Sequence, residues 1–149
     1  MKTDPRIDRD RVSTINQKFN GNVLNVIRII KYWNKRPTMP SIQSYLLENM
    51  ILNYYDTTSS CSDYVDLEVP KILSYIHNNI FNSVYDPKGI QGDLNTLSWE
   101  DRKKISDRAY SDYNKAIEAR NFENDKDQKS SINKWAEIFG GDFPKYDGE

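Results

Sequence analysis

The sequence predicts an all-α protein, a bundle of about six helices forming one domain over residues 1–149. Three observations predict it. Apolar residues recur at three- and four-residue spacing through most of the chain, which is the repeat of a helix with one buried face. No stretch alternates apolar and polar residues as a half-buried strand does. The periodic segments are separated by Gly, Pro and Ser/Thr punctuation, and the moderately short connections between them suit a bundle.

The first helix is expected over residues 7–19, with Val12, Ile15 and Phe19 on one stripe and Asn20-Gly21 as its stop. Asn22 is the expected cap of a second helix over residues 23–35, closed by Pro37 and Pro40. That helix carries Val23, Leu24, Val26, Ile27, Ile29, Ile30, Tyr32 and Trp33. Apolar nearly all round, it should be central and buried. Ser41 is expected to cap a third helix through Leu46, Leu47, Met50, Ile51 and Tyr54, followed by a polar loop over residues 57–62.

A fourth helix is expected over residues 66–85, with Pro70 in its first turn, where a missing backbone donor costs nothing. Residues 86–93 form a loop by their Pro and Gly content. Ser98 followed by Asp101 is a variant capping signal that opens a long fifth helix with Trp99, Ile105, Ala109, Tyr113, Ala116 and Ile117 in register. The last helix, over residues 127–139, should bury Ile132, Trp135, Ile138 and Phe139 and stop at Gly140-Gly141.

Composition narrows the function. Hydrophobic residues make up 37% of the chain, and the mean hydropathy is −0.83. Ten Tyr, five Phe and three Trp supply the bulk for a packed core, which a disordered chain lacks. The 21 basic and 22 acidic residues leave a net charge of −1, short of the basic excess that duplex nucleic acid demands. A small basic pocket for one phosphate group remains compatible with that balance. Cys61 is the single cysteine, so no internal disulfide and no zinc cluster are expected, and a reducing, cytoplasmic setting is the simplest reading. No apolar run approaches the ~20 residues of a membrane span, and the N-terminal MKTDPRIDRDR lacks a signal-peptide core.

The second helix is also the most informative for chemistry. Its only charges within the apolar run are Arg28 and Lys31, three apart and therefore neighbours on one face. A cation there must reach water, pair with a carboxylate or meet an anionic ligand. Two readings of Lys31 stand side by side: a snorkelling or Glu48-paired lysine, and a phosphate contact. Ser44 and Tyr45, near the start of the third helix, offer a hydroxyl beside backbone donors and a ring on which a base can stack. Their alternative roles are capping for Ser44 and core packing for Tyr45.

The string Val26-Ile27-Arg28-Ile29-Ile30-Lys31-Tyr32-Trp33-Asn34, the linker with Pro40, and Gln43-Ser44-Tyr45-Leu46-Leu47-Glu48 together form a longer pattern. It resembles the start of the helical C-terminal domain of oligoadenylate-synthetase-like and cGAS-like nucleotidyltransferases, among them bacterial cyclic-oligonucleotide synthases. The likeness continues at Asp86-Pro87 with its Gly-containing loop, at the long helix after Ser98, at Trp135-Ala136-Glu137-Ile138-Phe139-Gly140 and at Phe143-Pro144.

The resemblance implies a substrate-binding-domain fold of the poly(A)-polymerase and oligoadenylate-synthetase type. It also implies nucleotide-binding roles for three residues: Lys31 and Ser44 on the triphosphate of a donor ATP or GTP, and Tyr45 near the base. Gln43 stands where the family commonly has lysine, and Leu46 where it has histidine, so one positive charge near the phosphates is missing. Arg28 is read as structural or as supporting the residues that touch the nucleotide. The implied function is the donor-binding half of an enzyme making a cyclic or linear oligonucleotide signal, plausibly in bacterial defence against phage. The expected partner is a catalytic nucleotidyltransferase domain, in cis or in trans.

The family's Gly-Ser loop and magnesium-holding carboxylates are not found, so no cofactor and no catalytic residue are expected in this chain. Magnesium would belong to the catalytic domain, and this chain alone should be inactive. Asp8-Arg9-Asp10 and Asp125-Lys126-Asp127 lie at expected helix starts, where acids favour the helix dipole. His77 is expected at the core edge and Cys61 as an inert loop residue. The competing reading is a non-catalytic helical interaction module derived from the same family. A pairing of Lys31 with Glu48 and an exposed apolar patch would favour it.

Overall fold

In the computed structural model, which describes residues 5–19, 21–35, 40–58, 65–86, 89 and 92–139, the helix α1 (Pro5–Lys18) stops against Gly21. Gly21 sits at φ 87°, a left-handed conformation that turns the chain at no steric cost because glycine has no Cβ. The fold is all-helical, as the spacing predicts. Among the described residues there are six helices, no strand, and one isolated antiparallel bridge between Tyr85 and Asp93.

The second helix, α2 (Asn22–Asn34), starts one residue earlier than expected, with Asn22 inside it. The capping oxygen comes from the preceding helix: Asn16 Oδ1 accepts from the Leu24 backbone N–H at 3.0 Å. Because the Asn16 carbonyl also accepts from Gly21, one residue fastens both sides of the corner. Val23, Val26, Ile27, Ile30 and Trp33 are buried, and α2 touches α1, α3, α4 and α6. It is central but not covered all round: Leu24 and Ile29 are half-buried, and Arg28 and Tyr32 are exposed.

The third helix, α3 (Ser44–Thr57), begins after Gln43, not at Ser41. The Ser41 hydroxyl turns back to the Asn34 carbonyl at 3.5 Å, so it serves the end of α2. Leu46, Leu47, Met50 and Ile51 are buried as expected. Tyr54 is only partly so, and Tyr55 is fully buried with its hydroxyl on Glu68 Oε1 at 3.0 Å.

The fourth helix, α4 (Val65–Asn79), ends six residues short of the expected Tyr85. Side chains distant in sequence take its exit carbonyls. Asn95 Nδ2 donates to the Ile80 carbonyl at 2.6 Å and to the Asn82 carbonyl at 2.8 Å. The Arg102 guanidinium reaches the carbonyls of Phe81, Asn95 and Leu97. Those bonds replace the helical ladder where α4 ends and hold residues 80–82 beside residues 95–102. Pro70 is the sixth residue of α4, inside its second turn, where it costs one ladder bond.

The long fifth helix, α5 (Trp99–Asn124), opens as the capping signal predicts, with the Ser98 hydroxyl accepting from the Asp101 N–H at 3.1 Å. Its packed face holds Ile105, Ala109, Ala116 and Ala119, together with the polar Ser106 and Asp112. Three alanines at buried positions leave room for neighbouring helices, and α5 packs most extensively against α4 and α6. Trp99 and Ile117 fall outside this face, Trp99 at 65% exposure.

α6 (Gln128–Phe139) returns along α5 through a tight corner. Asp127 N donates to the Phe122 carbonyl and Lys126 N to the Glu123 carbonyl, the paired bonds of a left-handed helix stop. The left-handed residue is Lys126, at φ 64°. Asp125 therefore ends α5, while Asp127 Oδ1 caps α6 by accepting from the Ser130 N–H at 3.1 Å. Trp135, Ile138 and Phe139 are buried as expected; Ile132 is half-buried, and Ser131 takes the buried place beside it. The expected stop at Gly140-Gly141 lies outside the described residues.

A lysine in the left-handed region carries a Cβ penalty that glycine does not. Lys126→Gly should therefore stabilise the chain by up to ~1 kcal/mol, read as a rise in thermal midpoint. The Ser130 hydroxyl and then its backbone N–H hold the Asp127 carboxyl below the ordinary aspartate range. A lowered folded pKa places that stabilisation above the ordinary aspartate pKa and removes it as pH falls through the lowered value. Wild type should thus be the more stable of the pair with Asp127→Ala at neutral pH, and the two should converge in strong acid on urea denaturation.

Candidate functional site

The last turn of α2 and the first turns of α3 meet across a short linker, and one side chain decides how. Asn34, the final residue of α2, closes its amide on the backbone of Ile42. Nδ2 donates to the Ile42 carbonyl at 2.6 Å and Oδ1 accepts from the Ile42 N–H at 2.8 Å. Both bonds are buried, where a peptide left unpaired would be costly. Next to it, Trp33 is buried with its indole N–H on Asp112 Oδ2 at 2.7 Å, which ties the same turn to α5. Asp112 is fully buried and also lies 2.9 Å from Arg108 Nε. Tyr32, by contrast, is exposed at the surface beside Phe139, with ring centres 6.4 Å apart.

This clamp brings Lys31 against α3. Lys31 Nζ donates to Glu48 Oε1 at 3.0 Å, with the lysine side chain 35% exposed and the glutamate 31%. Ser44, the first residue of α3, lies one turn before Glu48 and so shares its face of the helix. Ser44 and Gln43 are both exposed. Gln43 precedes the helix in an extended conformation and makes no side-chain cap. Arg28, one turn before Lys31 on α2, is exposed. Lys31 and Glu48 are thus each about one-third exposed, and Ser44, one turn before Glu48, is exposed.

Tyr45 is half-buried and its hydroxyl donates to Asp86 Oδ1 at 3.0 Å. Asp86 is itself buried and shapes the following loop through its backbone: its N–H donates to the Gly92 carbonyl, and its carbonyl accepts from Gly89. Gly89 and Gly92 both take positive φ, which fits glycine at these turns. At the loop's exit, backbone N–H groups of Asn95 and Val84 donate to Asp93 and hold its carboxyl below the usual range. Tyr45 thus links the start of α3 to the Asp86–Asp93 turn.

Three residues that matter to this geometry carried no assigned role in the sequence reading: Asn34, Asp86 and Asp112. The signal for Asn34 was its place at a helix end before a Pro-bounded linker, where a side-chain amide can hold the returning chain. Asp112 offered none, since it lies among other charged residues on a long polar helix.

His77 is indeed at the core edge. Its Nδ1 lies 2.9 Å from the Ser106 carbonyl and 2.7 Å from the Ser106 hydroxyl, which donates to the His77 carbonyl at 3.0 Å. With the hydroxyl proton spent on a carbonyl, the pair locks α4 to α5 and is not set up as base and nucleophile. Cys61 and the side chains of Asp8 and Asp10 lie outside the described residues. Among the described residues no three His, Cys, Asp or Glu side chains gather as metal ligands. No described helix is long and apolar enough to cross a membrane.

No protein-family profile matches the chain. A protein of Bacillus cereus (strain VD146) named probable cyclic nucleotide synthase is 42% identical over 146 residues, which covers 98% of this chain and 44% of that protein. Identity of that degree over nearly the whole chain makes the two homologous, and the chain spans less than half of its relative's length.

The Asn34 clamp is open to a direct test. Asn34→Ala removes two buried hydrogen bonds and strands the Ile42 peptide, so urea unfolding should show a loss of about 2–4 kcal/mol. A loss under 0.5 kcal/mol would mean that water replaces the amide and that the linker is held elsewhere.

Proposed function

We propose that this chain is the donor-nucleotide-binding helical part of a nucleotidyltransferase that makes a cyclic or linear oligonucleotide signal. In this reading Lys31 and Ser44 hold the triphosphate of a bound ATP or GTP, and Tyr45 stands beside the base. Catalysis belongs to a separate catalytic domain, in cis or in trans, whose carboxylates hold magnesium. The homologous protein named probable cyclic nucleotide synthase supports the reaction class. The observation that carries the assignment is the clamp of Asn34 on Ile42, which brings the Lys31 ammonium to the exposed face that Ser44 opens.

The energetics are compatible with ligand capture. A half-exposed Lys–Glu pair is worth only about 0–1 kcal/mol. Charge-assisted bonds from an ammonium to phosphate oxygens are stronger than neutral ones, and a triphosphate carries several such acceptors. Backbone N–H groups in the first turn of α3 add donors beside Ser44. With one face of the site open, binding to this chain alone is expected to be weak.

A second reading is favoured by two observations: Lys31 is already paired with Glu48, and α5 and its neighbourhood expose Trp99, Phe81 and Tyr85. On that reading the chain is a helical interaction module that does not bind nucleotide.

Isothermal titration of ATP and GTP with magnesium into wild type and Lys31→Ala separates the two. The first reading expects millimolar or tighter binding by wild type, weakened about tenfold or more in the variant, as for the loss of a charge-assisted phosphate contact worth ~1.5–3 kcal/mol. Equal affinities would remove Lys31 from the site. Absence of binding by both, repeated with a complementing catalytic domain, would leave the interaction module.

A further inference from the structure

We propose that Glu48 is an internal counter-ion for Lys31, which a bound phosphate must displace, so that Glu48 holds down the affinity of the site; this rests on the nucleotide-binding reading above. Glu48 Oε1 lies 3.0 Å from Lys31 Nζ, and both side chains are about one-third exposed. The carboxylate therefore occupies one of the three donor directions of the ammonium. It also stands one turn after Ser44 on the same face of α3, so a phosphate resting on Ser44 and the first backbone N–H groups would meet Glu48 as its neighbour.

Two effects oppose each other. Glu48 orients the lysine toward α3, which helps binding, and it competes with and repels a phosphate, which hinders it. Orientation of a half-exposed lysine by a surface-type pair is a small gain. Competition takes up one of the three donors of the ammonium and compensates its charge, whereas a freed ammonium makes strong charge-assisted bonds to phosphate oxygens. Competition therefore outweighs orientation. Glu48 would keep the Lys31 charge compensated while the site is empty and limit how tightly a donor or a departing pyrophosphate is held.

The test is a double-mutant cycle on this chain with inorganic tripolyphosphate as probe, read by isothermal titration in wild type, Glu48→Gln, Lys31→Ala and the double variant. Glu48→Gln keeps the shape and, being half-exposed, should melt within a few degrees of wild type. It is expected to bind tripolyphosphate about fivefold tighter, equivalent to ~1 kcal/mol. In the Lys31→Ala background the same change should gain less than about twofold, because no ammonium is left to release.

An unchanged or weaker affinity in Glu48→Gln would overturn the counter-ion role. If Lys31→Ala still weakened binding about tenfold, the nucleotide-binding reading would stand without it. An equal gain in both backgrounds would also overturn it, since the effect would then be the general field of the carboxylate. Failure of both wild type and Glu48→Gln to bind the probe, repeated with a complementing catalytic domain, would overturn the nucleotide-binding reading and this inference together.

Discussion

The amide of Asn34 closed on the Ile42 peptide governs where the residues of the candidate site stand. A planar side-chain amide offers a donor and an acceptor side by side, and the backbone N–H and C=O of Ile42 offer the matching pair. The contact is local in space yet joins two helices, because it fixes Ile42, two residues before α3, to the residue that ends α2. Lys31 lies one turn back on α2, and Ser44 opens α3 two residues after Ile42. Trp33 anchors the same turn from the other side through its indole N–H on Asp112.

Buried acids are the recurring means by which these helices are joined. Asp112 receives the Trp33 indole and faces Arg108; Glu68 receives the Tyr55 hydroxyl and lies 2.9 Å from Lys71; Asp86 receives Tyr45. An aromatic N–H or O–H reaching a carboxylate suits a core of this kind, since the ring contributes apolar area and its polar edge satisfies the acid. Such a pair adds little stability beyond a well-packed apolar one, but breaking it leaves a buried charge uncompensated. The arrangement therefore favours one helix register over its alternatives. In residues 80–97 the same task falls to Asn95 and Arg102, whose donors take backbone carbonyls where α4 gives out.

Lys31 shows how little separates a structural ion pair from a ligand contact. Its ammonium is partnered by Glu48 with both side chains about one-third exposed, so the pair itself adds little stability. A Glu48 partner and an anionic ligand are not exclusive readings of Lys31, because a surface pair of this kind holds its lysine weakly. Tyr45 is held differently, by a buried carboxylate on a loop, and its ring is oriented from the far side.

Most of the fold was legible in the order of the residues. Six helices, the corner at Gly21, the Ser98 cap and the buried faces of α2, α3 and α6 follow from periodicity and punctuation, which act over a few residues and need no knowledge of what lies opposite. The sequence by itself also determined that Lys31, Ser44 and Tyr45 fall at adjoining helix ends. Only the tertiary structure decided the rest. It moved the start of α3 past Ser41, ended α4 at Asn79 under the hold of Asn95 and Arg102, turned Trp99 outward and Asp112 inward, and set Lys31 on Glu48 and Tyr45 on Asp86. Apart from Trp99, which lies off the packed face of α5, the physical reason is common to these. Each depends on a polar group finding its partner from a different element, and the cost of leaving such a group unpaired is assessed only once the helices have packed.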